Sequence, residues 1–280
     1  MKIALAQIDT TLGNIHANLE KHLDFIHRAK AEGADLVVFP ELSLTGYILQ
    51  DIVPTVAARP EPDDPIFKPL LGASKDIDVV LGFVEADARH RFFIAGAYLS
   101  RGEVLHVHRK IYLPTYGLFD EGRFFAGGDS ARAFDTPFGR LGLLICEDFW
   151  HASLPYLLWM DGADLLIFIS ASPGHGISQA PHFGSAAWVE HATKAYANIF
   201  TCFVASVNRI GYEDAYCFYG SSHIFDPQGE LIVKSPSLEE ALTFAELDLG
   251  QLRRTRVRLP LLRDERPDLV LKELEKILGK

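Results

Sequence analysis

At 280 residues, 48% hydrophobic and 23% charged, the chain is long enough for a large core and has the balance of an ordinary water-soluble fold. A net charge of −10, with no basic cluster, argues against nucleic acid and anionic membranes as partners. Cys146, Cys202 and Cys217 form no paired spacing, which argues against a disulfide framework and for a cytoplasmic setting, and no stretch approaches the ~20 apolar residues that span a bilayer.

In chain order, KIALAQI opens as a strand; Gln7 and Asp9 break the run too early for a secretion signal. Leu19, Leu23, Ile26 and Ala29 follow at spacings of four, three and three and predict one face of a helix. ADLVVFP is continuously apolar, as expected of a strand buried on both faces. IDVVLGFVEA, RFFIAGAYLS and GEVLHVHRK read as further strands, and Thr115–Asp129 as a loop. LGLLIC and ADLLIFIS are strands around a predicted helix at Ser153–Gly162. A longer helix is predicted over Pro181–Asn198, then a strand, TCFVASV. SSHIFDPQGELIVKS predicts a hairpin turning at Pro227-Gln228-Gly229, and ALTFAELDL a late strand. Residues 267–278 form an amphipathic helix with proline at its start. Strands and helices alternate with no linker, repeat or low-complexity tract, so the expectation is one α/β domain over residues 1–280.

Three chemically capable residues stand where strands end: Glu41 in VVFPELSLTGY, Lys110 in HVHRKIYLP and Cys146 in LGLLICEDFW. Sites in open α/β sheets form beyond the carboxyl ends of strands, so an acid, an ammonium and a thiol there are compatible with one converging site. Taken singly, each has a plain alternative. A cysteine at a strand end is usually core, a glutamate after proline can cap a turn, and most lysines lie in water. His106 and His108 share a strand face and read as surface histidines of an edge strand. With no HExxH or CxxC spacing, a metal hydrolase is disfavoured. No G-x-G-x-x-G or P-loop calls for a nucleotide cofactor, and no cofactor is expected.

Read together, KIALAQ, PELSLTGY, RKIYLP, ICEDFW and YGSSHIFDPQGE resemble the nitrilase, or carbon–nitrogen hydrolase, superfamily over nearly the whole chain. LPTYGLFDEGRFF and ICEDFW look closest to the glutaminase part of glutamine-dependent NAD synthetases. The resemblance implies a four-layer α-β-β-α sandwich, a Glu–Lys–Cys triad at Glu41, Lys110 and Cys146, and a second glutamate at Glu121. It also implies substrate-binding roles for Tyr47, Tyr116 and Phe119, and a homo-oligomer. The Ser170-Ala171-Ser172-Pro173 run matches the glutaminase pattern and makes Ser172 a further substrate-binding candidate. Phe168 stands where those relatives have asparagine, and GHGISQAPHFGSAAW is richer in Gly and His than a glutamine site leads one to expect. No synthetase domain is read in these residues.

These residue types suit amide hydrolysis. A thiol with a reference pKa of about 8.5 needs a base, which Glu41 supplies. Lys110 and the backbone N–H of Glu147 are the expected donors to an oxyanion, each such donor being worth roughly 3–4 kcal/mol of barrier. A lysine between two carboxylates stays charged, which fits the oxyanion role better than that of a base. The expected activity is thiol-dependent release of ammonia from a small carboxamide. The alternatives are a detached glutaminase subunit feeding a separate synthetase, an N-carbamoyl or nitrile hydrolase, and a catalytically silent binding partner.

Overall fold

A computed structural model of the chain describes residues 1–175 and 183–280. Its strands are β1 (Lys2–Gln7), β2 (Leu36–Val38), β3 (Asp78–Ala86), β4 (Phe92–Ser100), β5 (Glu103–Arg109), β6 (Phe134–Thr136), β7 (Gly139–Ile145), β8 (Leu165–Ser170), β9 (Phe203–Asn208), β10 (Ile210–Glu213), β11 (Tyr216–Tyr219), β12 (His223–Phe225), β13 (Leu231–Lys234) and β14 (Ala241–Glu246). Twelve of them form two six-stranded sheets, in the orders β14-β1-β2-β3-β4-β5 and β13-β12-β9-β8-β7-β6. Within each, a parallel trio (β1, β2, β3 and β7, β8, β9) is flanked by antiparallel strands.

The period-two alternation of these strands assigns each face a job. Ile3, Leu5, Leu36 and Val38 of one sheet meet Leu141, Leu143, Ile167 and Ile169 of the other in a central core. Their neighbours point outward. Ala4, Ala6 and Val37 pack beneath the helices Ile15–Ala31 and Phe67–Ala73, while Leu144, Leu166 and Phe168 pack beneath Ser153–Met160 and Gly184–Ile199. This is the four-layer helix–sheet–sheet–helix sandwich that the resemblance implied.

Most of the predicted elements are present, including the hairpin of β12 and β13 and the final helix Pro267–Ile277. The start of the helix expected over Pro181–Asn198 lies outside the described residues. Three differences have physical reasons. The most buried line of the first helix runs through Asn18 and His22, with Leu19 and Leu23 half-buried beside it. Asn18 binds the backbone of Thr11 and Leu44, and His22 bonds Ser43 Oγ at 2.9 Å, so polar residues occupy the core face because each finds partners. The hairpin of β10 and β11 went unread because its four-residue strands, rich in Gly and Tyr, lack a clean alternation. The loop Thr115–Asp129 contains a helical turn, Glu121–Phe124.

His108 is also not a surface residue. Although β5 is an edge strand, His108 is buried and its Nε2 lies 2.8 Å from Asp148 Oδ2, because the turn after β7 covers that part of the strand. His106 is half-buried and stacks on Phe134.

Candidate active site

Glu41 lies three residues past β2 on a segment that crosses β3 at close quarters. The crossing requires Gly82, since a Cβ there would sit 2.4 Å from the Leu42 nitrogen and 2.5 Å from the Pro40 oxygen. Ser43 Oγ bonds the backbone of Gly82 on the same crossing and is held in turn by His22. Leu42 adopts φ 48°, a left-handed conformation that turns the chain away just after the carboxylate. Glu41 itself is fully buried. Its Oε2 accepts from the Ala171 N–H at 2.8 Å, past the end of β8, and its Oε1 accepts from Lys110 Nζ at 2.8 Å.

Lys110 follows β5 directly. Its fully buried ammonium bridges Glu41 and Glu121, with 2.7 Å to Glu121 Oε1. Burial pulls this ammonium toward neutrality, but Glu121 and Glu41 outweigh it and hold its pKa well above the usual lysine range. Glu121 accepts a further bond on Oε1 from the Tyr47 hydroxyl at 2.5 Å, while its buried Oε2 has no protein partner. Burial, opposed by Lys110, pushes Glu121 up to about 7.

Cys146 begins the turn after β7 with φ 46°, a conformation rare for a residue with a Cβ and a form of strain found at functional sites. The thiol lies at the floor of a cleft, 4.0 Å from Ser172 Oγ. Burial first, and the nearby Glu41 carboxylate second, raise the Cys146 pKa well above the ordinary thiol value. A thiol held in this way acts as a nucleophile only with a base already in position, unlike sites that lower the thiol pKa in advance.

Asp148, which nothing in the sequence singled out, ties these segments together. It is fully buried; Oδ1 accepts from the N–H groups of Ile111 and Tyr112, 2.9 and 3.0 Å away, just past Lys110. Oδ2 accepts from the Ile145 N–H before the thiol, at 3.3 Å, and pairs with His108. The signal in sequence was its fixed offset of two from Cys146, which has no meaning until the turn brings it under β5. Asn208, at the end of β9, plays a similar part for Ser172, accepting from its N–H at 2.8 Å and donating to its carbonyl.

The predicted set thus converges, with one change of position. Tyr116, Phe119, Glu147 and Ser172 line the cleft of about 420 Å³ before Cys146. Tyr116 donates to Glu147 at 2.8 Å. Tyr47 instead backs Glu121 and lines a second hollow of about 200 Å³ with Tyr216. Phe168 stacks on Phe149 in the outer layer, so this difference from the glutaminase pattern lies away from the cleft. Cys202 is core and Cys217 lies on β11. The sequence reading missed Trp150 and Trp188, which also line the cleft; single tryptophans on a turn and on a helix give no local sign that they will meet. Among the described residues, no cluster of three or more His, Cys, Asp or Glu side chains is placed to hold a metal ion, and no helix is long and apolar enough to cross a membrane.

A mixed two-sheet sandwich with a cysteine at the end of a parallel strand, faced by a buried glutamate–lysine–glutamate array, is the framework of a carbon–nitrogen hydrolase. Residues 2–257 match that family, carbon–nitrogen hydrolase, and the chain belongs to it. The glutamine-dependent NAD(+) synthetase of Acinetobacter baylyi is 32% identical over 254 residues, which are 90% of this chain and 45% of that protein. The chain therefore spans less than half the length of the curated relatives it matches. The solved structure of the glutamine-dependent NAD+ synthetase from Acinetobacter baumannii superposes with a TM-score of 0.79 at 31% identity, over 90% of this chain and 46% of that one. The NitN amidase from Nesterenkonia sp. AN1 shares the fold over 97% of this chain and 99% of its own, with a TM-score of 0.81 at 24% identity.

Proposed function

We propose that this carbon–nitrogen hydrolase releases ammonia from a small carboxamide through a thioester on Cys146. The observation that carries this reading is the ammonium of Lys110 held 2.8 and 2.7 Å from two buried carboxylates, with the buried thiol of Cys146 nearby at the floor of the cleft. The sulfur forms a bond to the amide carbon as its proton passes to Glu41. Lys110 and the backbone N–H of Glu147 receive the developing oxyanion. Collapse breaks the C–N bond, and Glu41 returns the proton to the departing nitrogen as ammonia. Water then adds to the thioester while giving a proton to Glu41, and the acid leaves with the thiol restored. Glu121 holds Lys110 in line, and its unpartnered Oε2 is an acceptor for the substrate amide N–H.

An ammonia-release screen over carboxamides, glutamine, carbamoyl amines and nitriles tests this, with Cys146→Ala as control. Loss of roughly 10⁴-fold or more in that variant is expected, the scale on which removal of a covalent nucleophile acts. Release that survives the substitution removes the cysteine from the mechanism.

A second reading, a glutaminase unit that passes ammonia to a separate synthetase, is favoured by the 90% coverage in the match to NAD(+) synthetases. Under it, glutamine is the preferred substrate and hydrolysis rises when a synthetase is added.

A further inference from the structure

The cleft before Cys146 has walls that the chemistry at its floor does not require. Tyr116, Leu118, Phe119, Trp150, Pro173 and Trp188 are among its lining residues. Trp188 is 71% exposed and Tyr116 59%, an unusual outlay of aromatic surface to water. The rings of Trp150 and Trp188 lie 6.2 Å apart, centroid to centroid, at a tilt of 56°. Such walls gain most from an apolar group that displaces their water.

The charges of the cleft point the same way. Among the described residues, neither lysine nor arginine lines it, and the sequence 176–182, GISQAPH, contains neither. Lys110 does not line the cleft; its buried ammonium is committed to Glu41, Glu121 and the reacting carbonyl, and so is not a partner for a carboxylate farther along the substrate. Glu147, the carboxylate of the cleft, is engaged by the Tyr116 hydroxyl and faces His151 Nε2 at 3.5 Å. His175, at the rim, is the described lining group able to become a cation. A carbamoyl compound that carries only a carboxylate would bring an anion toward Glu147; glutamine's α-ammonium can meet Glu147, but its α-carboxylate finds neither lysine nor arginine among the described lining residues.

We infer that the cleft selects a neutral carboxamide whose acyl chain ends in an aromatic or branched apolar group, and disfavours amides and carbamoyl compounds that carry a carboxylate. The inference rests on the thiol-dependent reading above and deepens it. Its test separates binding from turnover. Calorimetry on the Cys146→Ala protein measures binding of 3-phenylpropanamide, glutamine and N-carbamoyl-β-alanine, and the unaltered enzyme is assayed for ammonia with the same three. The phenyl amide is expected to bind at least tenfold more tightly than either carboxylate-bearing compound. Adding Trp188→Ala is expected to weaken it at least fivefold without moving the melting temperature, because that ring is mostly in water. Glutamine binding as tightly as the phenyl amide, or no response to Trp188→Ala, overturns the inference. Preference in binding with no turnover of any amide keeps the inference and removes the amidase reading. Turnover that favours glutamine keeps amide hydrolysis and removes the inference.

Discussion

Behind the thiol and in front of it, the molecule is built on opposite terms. Behind it, four ionisable side chains, Glu41, Lys110, Glu121 and Asp148, are buried and bonded to one another or to backbone N–H groups, on segments that leave strand ends. In front of it, the walls are aromatic and partly in water, on a loop, a turn and a helix. The difference teaches where precision is kept. Charges in a low-dielectric interior are strong and costly, so each is fixed by bonded partners, Glu41 and Lys110 just past strand ends, Glu121 in a loop and Asp148 in a turn. Apolar walls tolerate variation in what they touch, so loops can carry them.

The sharpest way to break this comparison is to remove the cation from the interior. Lys110→Met leaves Glu41 and Glu121 facing each other without compensation. Stability is expected to fall by about 3–5 kcal/mol, with activity lost, as read by denaturant melts and ammonia release. A melt unchanged by this substitution would show that the array is not the stabilised unit described.

A gentler probe is pH. Burial makes the folded protein hold the Glu121 proton up to about 7, against an ordinary value of 4.5. Between those values the folded state binds more protons than the unfolded chain, so this contribution is full below 4.5 and is lost as pH rises through 7. The slope integrates to roughly 3 kcal/mol at most, at about 1.4 kcal/mol per pH unit. Activity is expected to rise through the same range, since the ionised carboxylate orients Lys110. Glu121→Gln should flatten both profiles near pH 7; a rate profile that keeps its inflection there assigns it to another group.

The smallest effect is expected at the cleft. Tyr116→Phe removes one exposed hydrogen bond to Glu147 and should change stability by about 0.5 kcal/mol or less, while shifting KM a fewfold. A large loss of stability there would erase the contrast between interior and walls.

The continuously apolar runs of β1, β2, β7 and β8 made buried strands of an α/β fold legible, because a strand buried on both faces has to be apolar at nearly every position, and the four-layer sandwich followed from the resemblance. The ordered motifs around Glu41, Lys110 and Cys146 carried the resemblance, and with it the reaction class. Asp148, Asn208 and the pair Trp150–Trp188 were not legible. Each acts through partners distant in sequence: Asp148 on residues 108, 111 and 112, Asn208 on Ser170 and Ser172. His108 looked like a surface residue for the same reason, since its burial depends on a turn 40 residues further on.

Taken alone, then, the sequence determined the alternation of strands and helices and the chemical types at the strand ends, because apolar patterning and residue identity are local properties. Tertiary structure decided that Lys110 stands between two carboxylates, that Tyr47 bonds Glu121, and that the described walls before the thiol are largely aromatic and apolar, with neither lysine nor arginine among the described lining residues. Those are facts about distance between remote segments, and Coulomb energy, hydrogen bonding and water exclusion all depend on that distance.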